Sequence, residues 1–135
     1  MIRTCANFKV PLHGVEPFGF PLDRKALRRA AMDYADGVET MRHADFDAYL
    51  TATPTNRRVL LTTSGDTALQ NFVFRKHDHL MFGNEGKGAP PRAHDVAAAR
   101  LRIPASGRSL NLSASVAIAL WEALRQTRGL HTFAT

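Results

Sequence analysis

His79-Leu80-Met81-Phe82-Gly83-Asn84-Glu85-Gly86-Lys87-Gly88, an apolar run passing straight into a glycine-rich loop, is the stretch that decides the fold of this chain. A short apolar run closed by glycine reads as a buried strand. Upstream, Arg58-Val59-Leu60-Leu61-Thr62-Thr63 repeats the pattern and ends in a polar turn at Ser64-Gly65. Downstream, the loop from Gly83 to Pro91 leads to a helical turn expected over Val96 to Ala99, then to a short strand, Leu101-Arg102-Ile103, stopped by Pro104. From Asn111 or Leu112 to about Thr127, Ala, Val, Ile, Leu and Trp recur at helical spacing, with Gly129 in the expected stop position. Strands alternating with helices predict an α/β fold, a mostly parallel sheet flanked by helices. Ligands of such sheets sit at the C-terminal strand ends. Those ends fall at Thr62, Gly83 and Pro104, so a cofactor gripped by the three loops is expected.

The N-terminal part fits the same class. Leu12 to Glu16 is a short apolar run closed by Pro17, Gly19 and Pro21, a strand followed by a turn. Asp23 is suited to cap a helix through about Tyr34, with Leu27, Ala30, Ala31 and Tyr34 on one face. Arg24, Lys25, Arg28 and Arg29 occupy its other faces, either as a solvated surface or as a cationic one. Asp45 to Leu50 reads as a short helix. There is no internal repeat, low-complexity tract or linker-like shift in composition.

With 135 residues, 44% of them hydrophobic and 22% charged, the chain fits one domain with a single core and is not of disordered composition. No apolar run approaches the roughly 20 residues needed to cross a bilayer. Met1 to Val10 lacks the apolar segment of a signal peptide. A single cysteine, Cys5, excludes an internal disulfide and suits a reducing, cytoplasmic setting. The net charge of +6 favours polyanionic partners, though solubility alone also accounts for it.

Two constellations stand out. In Gly83-Asn84-Glu85-Gly86-Lys87-Gly88 the glycines allow close backbone approach to a ligand, and Glu85 places a carboxylate at a strand end. The loop is neither a P-loop nor a dinucleotide fingerprint, and by itself it reads more readily as a tight turn than as a site. Arg108-Ser109-Leu110-Asn111-Leu112-Ser113 opens the C-terminal helix, where Ser and Asn serve as caps and also suit an anionic group. His77 and His79, with no cysteine nearby, make a weak metal site, so no metal is expected. No Gly-x-Ser-x-Gly elbow is present for serine hydrolysis.

Taken in order, Leu61-Thr62-Thr63, Phe82-Gly83-Asn84-Glu85-x-x-Gly88-x-Pro90, Arg102-Ile103-Pro104 and Arg108-Ser109-Leu110-Asn111-Leu112-Ser113 resemble the SpoU (TrmH-like) branch of the SPOUT RNA 2′-O-methyltransferases. His13-Gly14-Val15-Glu16-Pro17-Phe18-Gly19-Phe20 and Leu27-Arg28-Arg29-Ala30-x-x-Asp33-Tyr34 look closest to the small enzymes of that branch that methylate the wobble cytidine or uridine of tRNA. The resemblance spans essentially the whole chain.

It implies one SPOUT domain over 1–135 with a C-terminal deep trefoil knot, against the usual rule for connections. It further implies a homodimer in the cytoplasm and S-adenosylmethionine as methyl donor. Donor contacts would fall at Leu61, Gly83, Ile103 and Ser109, with Arg3, Glu85, Ser109 and Asn111 near the reacting centre. Arg24, Lys25, Arg28 and Arg29 become candidate tRNA contacts. Trp121, where the wobble enzymes carry tyrosine, becomes a base-stacking one. Family members begin with a strand and a loop ahead of the segment matching Arg3, so the chain is expected to be N-terminally short, lacking the usual first strand. The alternatives are a ribose methyltransferase acting elsewhere on tRNA or on rRNA, or a truncated, non-catalytic RNA- or cofactor-binding remnant.

Overall fold

The computed structural model describes residues 1–16, 39–84, 87–106 and 110–133, which fall into two compact units, Met1–Thr55 and Asn56–Thr135. In the first, helix α1 (Ile2–Asn7) precedes strand β1 (Leu12–Val15), and strand β2 (Thr40–His43) precedes helix α2 (Phe46–Ala52). In the second come β3 (Arg58–Leu61), β4 (Thr67–Ala68), β5 (His79–Phe82), helix α3 (Pro91–Val96), β6 (Ala99–Arg102) and helix α4 (Leu112–Gln126). The expected class, mixed α/β with parallel strands, is the one found.

The second unit is built around β3. Its four strands lie in the order β4-β6-β3-β5, every neighbouring pair parallel. Because β3 has a partner on both sides, its run Val59-Leu60-Leu61 is buried, as a central parallel strand requires. Val59, Leu61, Leu69, Phe74 and Leu101 form the core with Ala119 and Ala123 of α4. These two alanines, one helical turn apart, keep the helix surface low where it meets the sheet. Gln126, at the far end of α4, accepts from the Phe74 amide (2.8 Å) and donates to the Phe72 carbonyl (2.9 Å), which clamps the connection before β5 to the helix.

The helical turn expected over Val96 to Ala99 is corrected. The helix is α3 and ends at Val96, while Ala99 already pairs with Val59 as the first residue of β6. Pro91 sets the earlier start, because its fixed φ suits the first helical position and its missing N–H costs nothing there. The strand read as Leu101 to Ile103 likewise begins two residues earlier. At the other end of the sequence pattern α4 stops at Gln126, and it is Arg128, not Gly129, that takes a positive φ of 65°. Gly129 instead opens a short 3-10 turn, Gly129–Phe133.

In the first unit β1 and β2 pair in parallel, Leu12 opposite Thr40 and Val15 opposite His43. The expected strand at Leu12 and the short helix at Asp45 are both present, and the Asp45 carboxylate caps α2 by accepting from the Ala48 amide at 2.7 Å. Buried Tyr49 of α2 meets the rings of His13 and His43 edge-on. Burial pushes the Cys5 thiol up, so it is a packed thiol rather than a reactive one. The helix expected over Asp23 to Tyr34 lies outside the described residues. Among the described residues no helix is long and apolar enough to cross a membrane.

Candidate active site

Parallel pairing aligns the ends of neighbouring strands, and the register of β5, β3 and β6 puts three expected ligand residues at one edge. Leu61, the last residue of β3, lies opposite Phe82 on one side and Leu101 on the other. Gly83 follows Phe82 directly, and Ile103 stands two positions beyond Leu101. Leu61 is buried, while Gly83 and Ile103 are half-buried, giving an apolar floor with partial access.

Gly83 is where the backbone itself becomes the wall. A Cβ at this position would lie 2.2 Å from the Ala89 nitrogen and 2.3 Å from the Gly88 carbonyl carbon, so no side chain fits. The loop returns on it through a tight bridge. The Gly88 amide donates to the Asn84 carbonyl (2.8 Å), and the Asn84 amide donates to the Gly88 carbonyl (3.2 Å). Gly88 turns the chain at φ 70°, a conformation glycine adopts without steric cost. The tight-turn reading of the loop is thus met at its two ends.

Asn111 caps α4, its side-chain oxygen accepting from the Ala114 amide at 2.8 Å. Asn111 itself is exposed at the helix start. Trp121 is 48% exposed on α4, and Ile118, one turn earlier, is exposed beside it. Arg3 is exposed on α1, in the other compact unit. Glu85, Ser109, Arg24, Lys25, Arg28 and Arg29 lie outside the described residues. The structure therefore brings Leu61, Gly83 and Ile103 together, with Asn111 in the same unit. Among the described residues no cluster of His, Cys, Asp and Glu is placed to hold a metal ion.

A largely buried charge pair sits at the opposite end of the strands. Arg57, just before β3, grips Asp78, just before β5, at 2.9 and 2.6 Å, and also donates to the Val73 carbonyl at 3.1 Å. Burial alone would raise the Asp78 carboxyl. The bonds from Arg57 and from the Arg75 amide outweigh it and hold that carboxyl below the usual carboxylate range. The pair locks the N-terminal ends of β3 and β5 and so helps set the register that aligns Leu61 with Phe82. Nothing local in the sequence marks it, since the partners are 21 positions apart.

The model of the SpoU rRNA Methylase family matches residues 1–121, and the chain belongs to that family. It is 42% identical over 130 residues to the tRNA (cytidine(34)-2'-O)-methyltransferase of Escherichia coli strain K12, covering 93% of this chain and 83% of that one. A solved structure concerned with the 2-OH methylation of C/U34 on tRNA superimposes with a TM-score of 0.81 at 38% identity, over 93% of this chain and 84% of that one. An AdoMet-bound rRNA methyltransferase from Sinorhizobium meliloti gives a TM-score of 0.78 at 25% identity, over 92% of this chain and 49% of the other.

Proposed function

We propose that this chain transfers the methyl group of S-adenosylmethionine to the ribose 2′-hydroxyl of nucleotide 34 of tRNA, a cytidine or uridine. It is an RNA methyltransferase by family, and its likeness to the Escherichia coli position-34 enzyme extends over nearly the whole chain. The observation that carries the site is the register that sets Leu61, Gly83 and Ile103 side by side at the C-terminal edge of the sheet. That edge suits a nucleoside donor. Its apolar side chains cover a flat base, and the bare backbone at Gly83 permits close approach.

We assign Leu61, Gly83, Ile103 and Ser109 to the donor and Arg3, Glu85, Ser109 and Asn111 to the reacting centre. The bound donor supplies an electrophilic methyl group, and in-line positioning of the hydroxyl accounts for much of the rate. Arg3 is not a base, because a guanidinium stays charged in proteins. Its role is to favour the alkoxide as it forms, the proton leaving to a phosphate or water. Arg24, Lys25, Arg28 and Arg29 are assigned to tRNA phosphates, and Trp121 to stacking on a base.

The same family reading makes the two units one SPOUT domain, since the family match runs through both, with a trefoil knot at its C-terminal end. It also gives a homodimer working in the cytoplasm. Titration calorimetry with S-adenosylmethionine, followed by methylation of tRNA carrying cytidine or uridine at nucleotide 34, tests the proposal. Arg3→Ala abolishes methyl transfer while leaving donor affinity nearly unchanged; loss of donor binding instead places Arg3 in the wrong role.

A further inference from the structure

The turn that follows β3, Thr62 to Gly65, is fastened down at many points. The Thr62 amide donates to the Leu101 carbonyl at 2.8 Å, continuing the ladder beyond the end of β3. The Gly65 amide returns to the Thr62 carbonyl at 3.1 Å, and the Thr62 and Ser64 hydroxyls lie 3.2 Å apart. Gly65 is pressed onto β6: a Cβ there would stand 2.4 Å from the Leu101 carbonyl carbon and 2.7 Å from the Arg102 nitrogen.

Two arginines of β6 secure the segment from the other side. Arg102 donates from Nη1 to the Gly65 carbonyl at 3.3 Å, and Arg100, on the same face of the strand, lies 3.7 Å from the Asp66 carboxylate. The residue before this turn is Leu61 and the residue after Arg102 is Ile103. The Arg102–Gly65 contact thus ties together the two chain segments that carry those walls. What the turn presents at the sheet edge is Thr63 and Ser64, both exposed.

We propose that Gly65 and Arg102 are positioning residues for the methyl donor, holding the Thr62–Gly65 turn over the end of β6 so that Thr63 and Ser64 form a further, polar wall of the pocket. The proposal rests on the donor site assigned above. Neither residue need touch the donor. Gly65 lets the turn lie flat on β6, and Arg102 stops it from lifting. An arginine suits this task because its fork reaches a backbone carbonyl with its charge kept in water.

The test is calorimetric affinity for S-adenosylmethionine in Arg102→Met, Arg102→Lys and Gly65→Ala, with melting temperature and tRNA KM measured on each. Arg102→Met is expected to weaken donor binding about tenfold, the scale of one charge-assisted hydrogen bond, with tRNA KM and melting temperature close to wild type. Arg102→Lys recovers part of the loss, because an ammonium still donates to the Gly65 carbonyl. Gly65→Ala weakens donor binding further; should it not fold, the arginine pair decides alone. Arg102→Met binding donor within about twofold of wild type overturns the inference, as does a loss matched by an equal rise in tRNA KM. Gly83→Ala separates this from the pocket assignment. If wild type takes up no donor, the pocket itself is wrong; if Gly83→Ala loses the donor while Arg102→Met keeps it, only the role of the turn falls.

Discussion

β1 against β2 and β3 against its two neighbours are all parallel pairings, yet the side chains that hold them differ in kind. Around β3 the buried residues are Val59, Leu60, Leu61 and Leu101, with Ala119 and Ala123 of α4 closing the core. Between β1 and β2 the cross-strand contact is His13 Nδ1 to His43 Nε2 at 2.9 Å, with the rings nearly coplanar and Tyr49 against both. An aliphatic core takes up no protons. An imidazole pair in this geometry needs one ring to donate and the other to offer a lone pair, so it accommodates at most one added proton. The core around β3 therefore holds no titrating side chain, whereas the pairing beside α2 has one at its centre.

That contrast can be broken at three points. The largest effect is expected in the aliphatic core: Leu101→Ala, at a fully buried position, destabilises the chain by about 4 kcal/mol in urea unfolding. A loss below about 1 kcal/mol would mean that the sheet is not the dominant core.

Next comes Asn111→Ala, which removes the cap of α4 and costs about 1 kcal/mol. Asn111→Asp keeps a capping oxygen and so keeps the stability. If Asn111→Asp nevertheless loses methyl transfer, the amide has a role beyond the cap; equal activity leaves it a cap only.

The smallest effect is proton-linked. Burial, and then the neighbouring His43, lower the His13 pKa, with Glu39 pulling the other way. The folded value is thus below the ordinary imidazole value, so on acidification the unfolded chain takes up its proton first. Stability contributed by this pair is complete above about pH 6.5 and declines as the pH falls below it. Hydrogen exchange at Leu12 to Val15 should quicken between pH 7.5 and pH 5.5 relative to that at Val59 to Leu61, after correction for intrinsic exchange rates. His13→Gln, which bonds to His43 without titrating, should remove most of the difference. Equal change in both strands removes the distinction between the sheets.

Much of the edge that carries Leu61 and Gly83 was legible because its signals are local. Val59-Leu60-Leu61 is an apolar run of strand length, Gly83 closes another, and Asn111 precedes a long helical period. Their order matched a family, and the family supplied the assignments. Weaker elements carried no such signal. β4 is only Thr67–Ala68 and exists because β6 offers it a free edge. α1 has no side-chain cap, and β2 reads Thr-Met-Arg-His, without the alternation of a half-buried strand.

Sequence alone determined the family, the apolar runs of β3 and β5 and the long helix after Asn111, since these depend on neighbours along the chain. Tertiary structure decided the strand order, and with it the adjacency of Leu61, Gly83 and Ile103. It also decided the Arg57–Asp78 and His13–His43 pairs and the seating of Gly65 on β6. Each joins residues far apart in the chain, and no local propensity encodes a contact of that kind. A pairing register is chosen by what it buries, which exists only once the sheet has closed around β3.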